Sequence, residues 1–354
     1  MIPLAEVLRR HWPAYQRQFS PQILPSHRRA VQCILACRTR ALGGEVYRCG
    51  DCQQDHFVYH SCHHRACPQC GHAEATAWIE KQKLKLLPVP YYLITFTVPE
   101  GLRPWLRSHQ KKGYAGLLRE SAGALQDVAG RPKYLGAQIG CLSVLHTWGR
   151  QLQYHPHVHC VVPAGGLRED GLRWLRPKTP DFFLPQSVLA ARFRNRLKAA
   201  LLQEQPETFP QILSSVWQQK WVVDVQPVGS GEAALKYLSA YVCRTALGNQ
   251  RILRDKAGQI TFKYKDSNDQ QWRTLTLAAS EFLRRFLQHV LPKGFQRVRY
   301  YGWLGPAAKT RWQRILALLD WQPHPRIVTP RPQPLCPRCG RDLCWLGTLE
   351  RAPP

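Results

Sequence analysis

Three sets of residues carry spacings that can do chemistry. The run His155-Pro156-His157-Val158-His159-Cys160-Val161-Val162-Pro163 sets histidines at every second position of a β-prone segment. Side chains alternate across a strand, so His157 and His159 would leave one face side by side, as two imidazole ligands for one divalent ion, while Val158, Cys160 and Val162 turn toward a core. The segment from Glu232 to Arg244, rich in alanine and leucine, follows Gly229-Ser230-Gly231 and stops before Gly248, which predicts a helix. On it Tyr237 and Tyr241, four residues apart, share one face. The third set is cysteine: Cys49-Gly-Asp-Cys52 and Cys67-Pro-Gln-Cys70-Gly71 are C-x-x-C turns with the spacing of a zinc ribbon.

A phenol with a pKa of about 10 is a poor nucleophile at neutral pH. A divalent cation on the scissile phosphate withdraws electron density from phosphorus and favours the phenolate, so tyrosine and metal together can open a phosphodiester. The product would be a 5′-phosphotyrosine and a free 3′-hydroxyl, and rejoining would need no ATP. The four cysteines Cys49, Cys52, Cys67 and Cys70 are expected to hold one structural Zn2+ at about 2.3 Å per thiolate. Cys62, with Cys37, His63, His64 or His72, offers a weaker second site. A third knuckle, Cys336-Pro-Arg-Cys339-Gly340 with Cys344 nearby, supplies only two ligands and needs partners that the sequence does not name.

The elements that would position these groups follow from periodicity and punctuation. Residues 1–43 read as helical, Ala73 to Leu87 as a helix ended by Pro88 and Pro90, and Tyr91 to Pro99 as a strand rich in aromatic and β-branched residues. Residues 104–129 are helical. Gly140 to Trp148 and His157 to Val162 form two strands joined by a short polar link, close enough to pair as a hairpin. Such pairing would bring His146 opposite the histidine pair, as a third ligand in competition with Gln151, Gln153 and His155; sequence alone does not set the register. Ser187 to Leu202 reads as a helix and Trp221 to Val225 as a strand whose Asp224 is a further candidate ligand, though more simply a salt-bridge partner.

Charge supplies the partner. The chain of 354 residues has 50 Lys and Arg against 23 Asp and Glu, a net charge of +27, which calls for a polyanion. No apolar run approaches the roughly 20 residues of a spanning helix, and no export signal opens the sequence, so a cytoplasmic protein acting on nucleic acid is expected. In that compartment its 13 cysteines read as metal ligands and not as a disulfide framework. Residues 250–315 mix cations with rings, and Arg244, Arg284, Arg285, Arg297, Arg299, Tyr300, Tyr301 and Trp303 are the candidates for contacting phosphates and stacking on unpaired bases.

The succession of zinc ribbon, Phe96-Thr97-Val98-Pro99 strand, His-Pro-His157-Val-His159-Cys-Val-Val-Pro163 and Tyr237-x-x-x-Tyr241 resembles the two-tyrosine HUH transposases of the insertion-sequence-ninety-one family, over nearly the whole chain. The resemblance implies a bacterial, nucleoid-associated enzyme that nicks and rejoins single-stranded DNA at transposon ends and target by a rolling-circle mechanism. It assigns His157 and His159 as ligands of a catalytic Mg2+ or Mn2+, and Tyr237 and Tyr241 as nucleophiles. Relaxases, which are similar enzymes, carry a third histidine on the preceding strand, where His146 stands. Arg150 occupies a place where a glutamine would be expected. The implied fold is α+β, a central antiparallel sheet with flanking helices. The expected organisation is a helical and zinc-binding domain over 1–84, a nuclease domain over 85–300 and a basic, proline-rich segment over 301–354. Alternatives are a replication initiator or relaxase of the same chemistry, although no G-x-x-x-x-G-K-[ST] phosphate loop is present, and a non-catalytic zinc protein that binds DNA.

Overall fold

The computed structural model describes residues 2–179, 183–242, 245–266, 269–323 and 333–352. It opens with α1 (Leu4–Phe19), α2 (Pro25–Ala36), the strands β1 (Gly44–Cys49) and β2 (Asp55–Tyr59), and α3 (Gly71–Lys83). There follow β3 (Tyr91–Thr97), α4 (Arg103–Ser108), α5 (Gln110–Ala129), β4 (Gly140–Trp148), β5 (Tyr154–Pro163), and the two-residue strands β6 (Gly166–Leu167) and β7 (Trp174–Leu175). The chain continues with α6 (Gln186–Glu204), α7 (Ser215–Gln218), β8 (Val222–Gly229), α8 (Gly231–Val242), β9 (Ile252–Lys256), β10 (Gln259–Lys265), β11 (Trp272–Ala278), α9 (Ala279–Leu287), β12 (Val298–Gly302), α10 (Lys309–Leu318) and β13 (Leu343–Leu349).

Two compact units result. One joins Met1–Thr76, Cys243–Val290 and Arg326–Pro354; the other joins Ala77–Val242 and Leu291–Pro325. The second unit holds a five-stranded sheet in the order β12-β4-β5-β3-β8, antiparallel throughout, with the histidine strand β5 in the middle. This is the α+β architecture that the sequence predicts.

Alternation explains why β5 sits centrally. Val158, Cys160 and Val162 are buried, and their paired neighbours Leu145 on β4 and Phe96, Ile94 and Tyr92 on β3 join them in one apolar core. α5 and α6 contribute Leu117, Leu125, Phe193 and Leu197 to that core, with the Phe193 ring edge-on to Phe96 at 5.0 Å. The two helices are also tied by ions: Arg196 reaches Glu120 at 2.9 Å and Asp127 at 2.7 Å, and Arg192 reaches Asp127 at 2.5 Å. Glu120 is only 5 % exposed, so its charge needs these partners.

The first unit contains two three-stranded antiparallel sheets, β13-β1-β2 and β11-β10-β9. In the latter Ile260, Phe262 and Tyr264 are buried, with Phe262 against Phe282 of α9 at 5.9 Å. The opposite face carries Arg254, Lys263, Lys265 and Trp272, the Lys263 ammonium lying 5.3 Å from the centre of the exposed indole. The sequence reading recognised these cations but neither this sheet nor β13. Among the described residues no helix is long and apolar enough to cross a membrane.

Gly302 ends β12 at φ +62°, where a Cβ would run into the Ile139 carbonyl. Gly302→Ala is therefore expected to cost about 1–3 kcal/mol, read as a lower melting temperature. Gly347→Ala on β13, where nothing lies within 4 Å of the added carbon, is the control and should change stability by no more than about 0.5 kcal/mol.

Candidate functional site

Strand register places the histidines. Residues directly opposed in an antiparallel pair share a face of the sheet. β4 pairs with β5 so that His146 faces His157 and Val144 faces His159; on the other side of β5, Thr95 faces His159 and Thr97 faces His157. The three imidazoles thus gather on one face, with ring centres 4.5 Å apart for His146 and His159, 4.8 Å for His157 and His159, and 5.2 Å for His146 and His157. One ligand atom from each lies within 4.8 Å of the others.

Neighbours orient the rings. Nδ1 of His157 donates to the His155 carbonyl at 2.6 Å, which leaves the Nε2 lone pair available. Nδ1 of His159 is hydrogen-bonded to Thr95 Oγ1 at 3.0 Å, and His146 stacks on Trp148 at 5.2 Å. Burial pushes all three pKa values down, that of His157 to about 4. For His146 the charges of His159, His157 and Arg297 add to the effect, and the Arg297 carbonyl accepts from the Leu145 N–H at 2.9 Å, next to His146 in the chain. Neutral, buried imidazoles converging on one point are a donor set for a divalent transition-metal ion. Such a site suits Mn2+ better than Mg2+, which prefers oxygen ligands.

His155 is half-buried with its ring 5.1 Å from His157, outside the three-histidine group. Gln153 turns its Oε1 back to accept from the Gln151 N–H at 2.9 Å. Asp224 pairs with Thr95 and so shares the histidine face, but it stands two strands from His159, roughly 10 Å at the usual strand spacing.

α8 begins where β8 ends and packs on β3, β4 and β8. A Cβ at Gly231, its first residue, would meet the Tyr91 ring. By alternation Tyr91 lies on the same face of β3 as Thr95, so the helix starts on the histidine side of the sheet. Tyr237 and Tyr241 fall within this helix; their side chains, and the whole of Arg244, lie outside the described residues.

The cysteines assemble differently from the expected single ribbon site. Cys49 and Cys52 group with Cys336 and Cys339, while Cys67 and Cys70 group with Cys37 and Cys62, and in each group the sulfurs lie within 4.8 Å of one another. The reason is strand direction. Cys49 ends β1, whereas Cys62 follows the end of the antiparallel β2, at the opposite end of the hairpin. The two knuckles proposed as one site are thus held apart by the length of a strand. His63 and His64 are not members of the second group, whose four ligands among the described residues are all thiols; the side chain of His72 lies outside the described residues.

Among the candidate DNA contacts, Arg284 and Arg285 both bind Glu281, at 2.6 Å and 2.7 Å, and these guanidiniums hold its carboxyl at a pKa of about 2. Arg299 lies 5.5 Å from the Phe295 ring centre. Tyr300 is half-buried, donates its hydroxyl to Gln82 at 2.8 Å and carries Lys85 over its ring at 4.3 Å. Tyr301 packs on the core. Trp303 corrects an expectation: it is 2 % exposed, donates Nε1–H to the Gln138 carbonyl at 3.1 Å and stacks on Trp312 at 5.9 Å. Gly140 beneath it leaves room for an indole, so this ring is core and has no face for a base.

Residues 140–311 match the family described as "Putative transposase", and residues 7–98 match the "Transposase zinc-binding domain". The chain is 37 % identical over 322 residues to "Putative transposase y4qJ" of Sinorhizobium fredii, spanning 85 % of this chain and 80 % of that protein. It is 30 % identical over 291 residues to "Transposase for insertion sequence element IS801" of Pseudomonas savastanoi pv. phaseolicola, spanning 77 % of this chain and 69 % of that protein. No solved structure matches significantly.

The hydrogen bond between Thr95 and His159 yields a measurable expectation. Thr95→Val keeps the shape and removes the hydroxyl, and it should weaken Mn2+ binding by titration calorimetry roughly 10- to 100-fold. An unchanged affinity would show that Thr95 does not orient His159.

Proposed function

The chain belongs to the insertion-sequence-ninety-one family of transposases, with a zinc-binding domain near its N-terminus, and we propose that it nicks and rejoins single-stranded DNA at element ends through a 5′-phosphotyrosine intermediate. The observation that carries this reading is the convergence of His146, His157 and His159 on one face of the sheet, the face beside which α8 begins. His157 and His159 are the ligands implied by the motif, and His146, directly opposite His157, is the third. Bound there, Mn2+ or Mg2+ would polarise the scissile phosphate and favour the phenolate.

The chain's own groups do the rest. The hydroxyl oxygen of Tyr237 or Tyr241 attacks phosphorus, a tyrosyl–phosphate bond forms, and the bond from phosphorus to the 3′-oxygen breaks. The phenol proton leaves and the departing 3′-oxygen is protonated. When a 3′-hydroxyl attacks the phosphotyrosine, the same exchange runs in reverse, so bond energy is conserved and ATP is not needed. Paired tyrosines allow a second strand to be cut before the first linkage is resolved. Arg297, whose backbone is hydrogen-bonded to Leu145 beside His146, would attract the phosphate. The net charge of +27 and the cationic face of β9, β10 and β11 support a DNA partner.

The reading is tested with labelled single-stranded oligonucleotides from the element's ends and Mn2+ or Mg2+. A covalent protein–DNA band on a denaturing gel is expected. It should vanish in the Tyr237→Phe, Tyr241→Phe double variant and fall at least tenfold in His157→Ala or His159→Ala. An adduct that survives the double variant would remove the tyrosines as nucleophiles. DNA binding without any adduct would favour a non-catalytic zinc protein.

A further inference from the structure

The knuckle Cys336-Pro-Arg-Cys339 lies outside both family matches, yet it is built as a copy of the knuckle Cys49-Gly-Asp-Cys52. In the N-terminal copy the Gln53 N–H donates to the Cys49 carbonyl at 2.9 Å and the Cys49 N–H to the Gln54 carbonyl at 3.1 Å. In the C-terminal copy the Gly340 N–H donates to the Cys336 carbonyl at 2.8 Å and the Cys336 N–H to the Arg341 carbonyl at 2.7 Å. The residue after the second cysteine has a left-handed backbone in both turns, φ +53° at Gln53 and +74° at Gly340. Two turns with the same hydrogen bonds face each other across a gap lined by sulfur.

Strand pairing brings them together. β1 and β13 are antiparallel, with Cys49 opposite Leu343, so the turn that leaves β1 and the turn that enters β13 lie at one end of the sheet. Cys49 Sγ is 3.5 Å from Cys339 Sγ, and all four sulfurs lie within 4.8 Å of one another. A disulfide requires about 2.05 Å, and these cysteines are free. Four thiolates at about 2.3 Å from a tetrahedral ion stand about 3.8 Å apart, which lies between the 3.5 Å of the Cys49–Cys339 pair and the 4.8 Å that bounds the group. Cys49 and Cys336 are 0 % and 2 % exposed, and with Leu343 they make up a core too small to hold this sheet by apolar burial alone.

We propose that Cys49, Cys52, Cys336 and Cys339 bind a zinc ion that staples the C-terminal segment to the N-terminal ribbon, separate from the zinc of Cys37, Cys62, Cys67 and Cys70. The ligands come from positions 290 residues apart at the Cys49–Cys339 contact, so the ion fixes β13 in its place beside β1. Binding displaces the four thiol protons to solvent, and without the metal the segment from 333 to 352 loses its anchor.

Zinc per chain, measured by mass spectrometry on the full-length protein, distinguishes this from a single-site ribbon. Two ions are expected in a parent that carries His157→Ala and His159→Ala, so that the three-histidine group takes no zinc, and the cysteine variants are made in that background. Cys336→Ser with Cys339→Ser should hold one, and Cys339→His, which keeps a ligand, should hold two. Arg338 and Arg341 sit inside the C-terminal knuckle, so trypsin should cut there at least tenfold faster in the double serine variant than in the parent. One zinc in the parent, or two in the double serine variant, would overturn the proposal. Equal trypsin rates would overturn the staple. Neither readout depends on DNA cleavage.

Discussion

The candidate site depends on one constraint, the register between β4 and β5. With His146 opposite His157, three imidazoles share a face; a slip of one residue would turn His146 into the layer occupied by Leu145 and expose that core position on the other side. What prevents the slip is the opposite face. Val158, Cys160 and Val162 must stay against Phe96, Phe193 and Leu125, and moving them into the histidine layer would empty a packed core. The hydrophobic pattern of β5 therefore sets the geometry of its polar residues. The same burial keeps the imidazoles neutral, since a charged ring at such a position would lose its hydration without a counter-charge.

A second constraint operates in the zinc-binding unit. β1 is short and lies between β2 and β13, and much of this sheet is exposed, including Phe57 at 52 % and Trp345 at 60 %. A sheet this small buries little apolar surface. Clusters of thiols at its two ends, one where β1 gives way to its knuckle and one beyond β2, stand where an apolar core would otherwise be required. Metal–thiolate bonds substitute for burial in domains of this size.

The charge excess is not spread evenly in effect. Acids are few, and several are used internally: Glu120 and Asp127 hold Arg196 between α5 and α6, and Glu281 holds Arg284 and Arg285. Arginines so engaged contribute to the field of the protein while their donors are occupied. The open face of β9 to β11 sets Arg254, Lys263 and Lys265 beside an exposed tryptophan, a cationic surface of the kind that a nucleic acid backbone requires.

Much of this was legible in the sequence. Aromatic and β-branched content located β3 and β4 within two residues, the histidine pattern located the central part of β5, which begins three residues earlier than expected, and helix punctuation located α6 and α8. The H-x-H pair lay on one face by alternation alone, and the charge named the class of partner. Three things were decided only by tertiary structure. Register set His146 opposite His157 and on the face of His159, since pairing between strands leaves no mark in either strand's own sequence. Packing took Trp303 out of the surface, because a ring's composition does not say which side of it is covered. The antiparallel course of β1, β2 and β13 divided the cysteines into two groups and matched the first knuckle with the last; a C-x-x-C turn fixes the two ligands it carries, and only the path of the chain through space brings the other two.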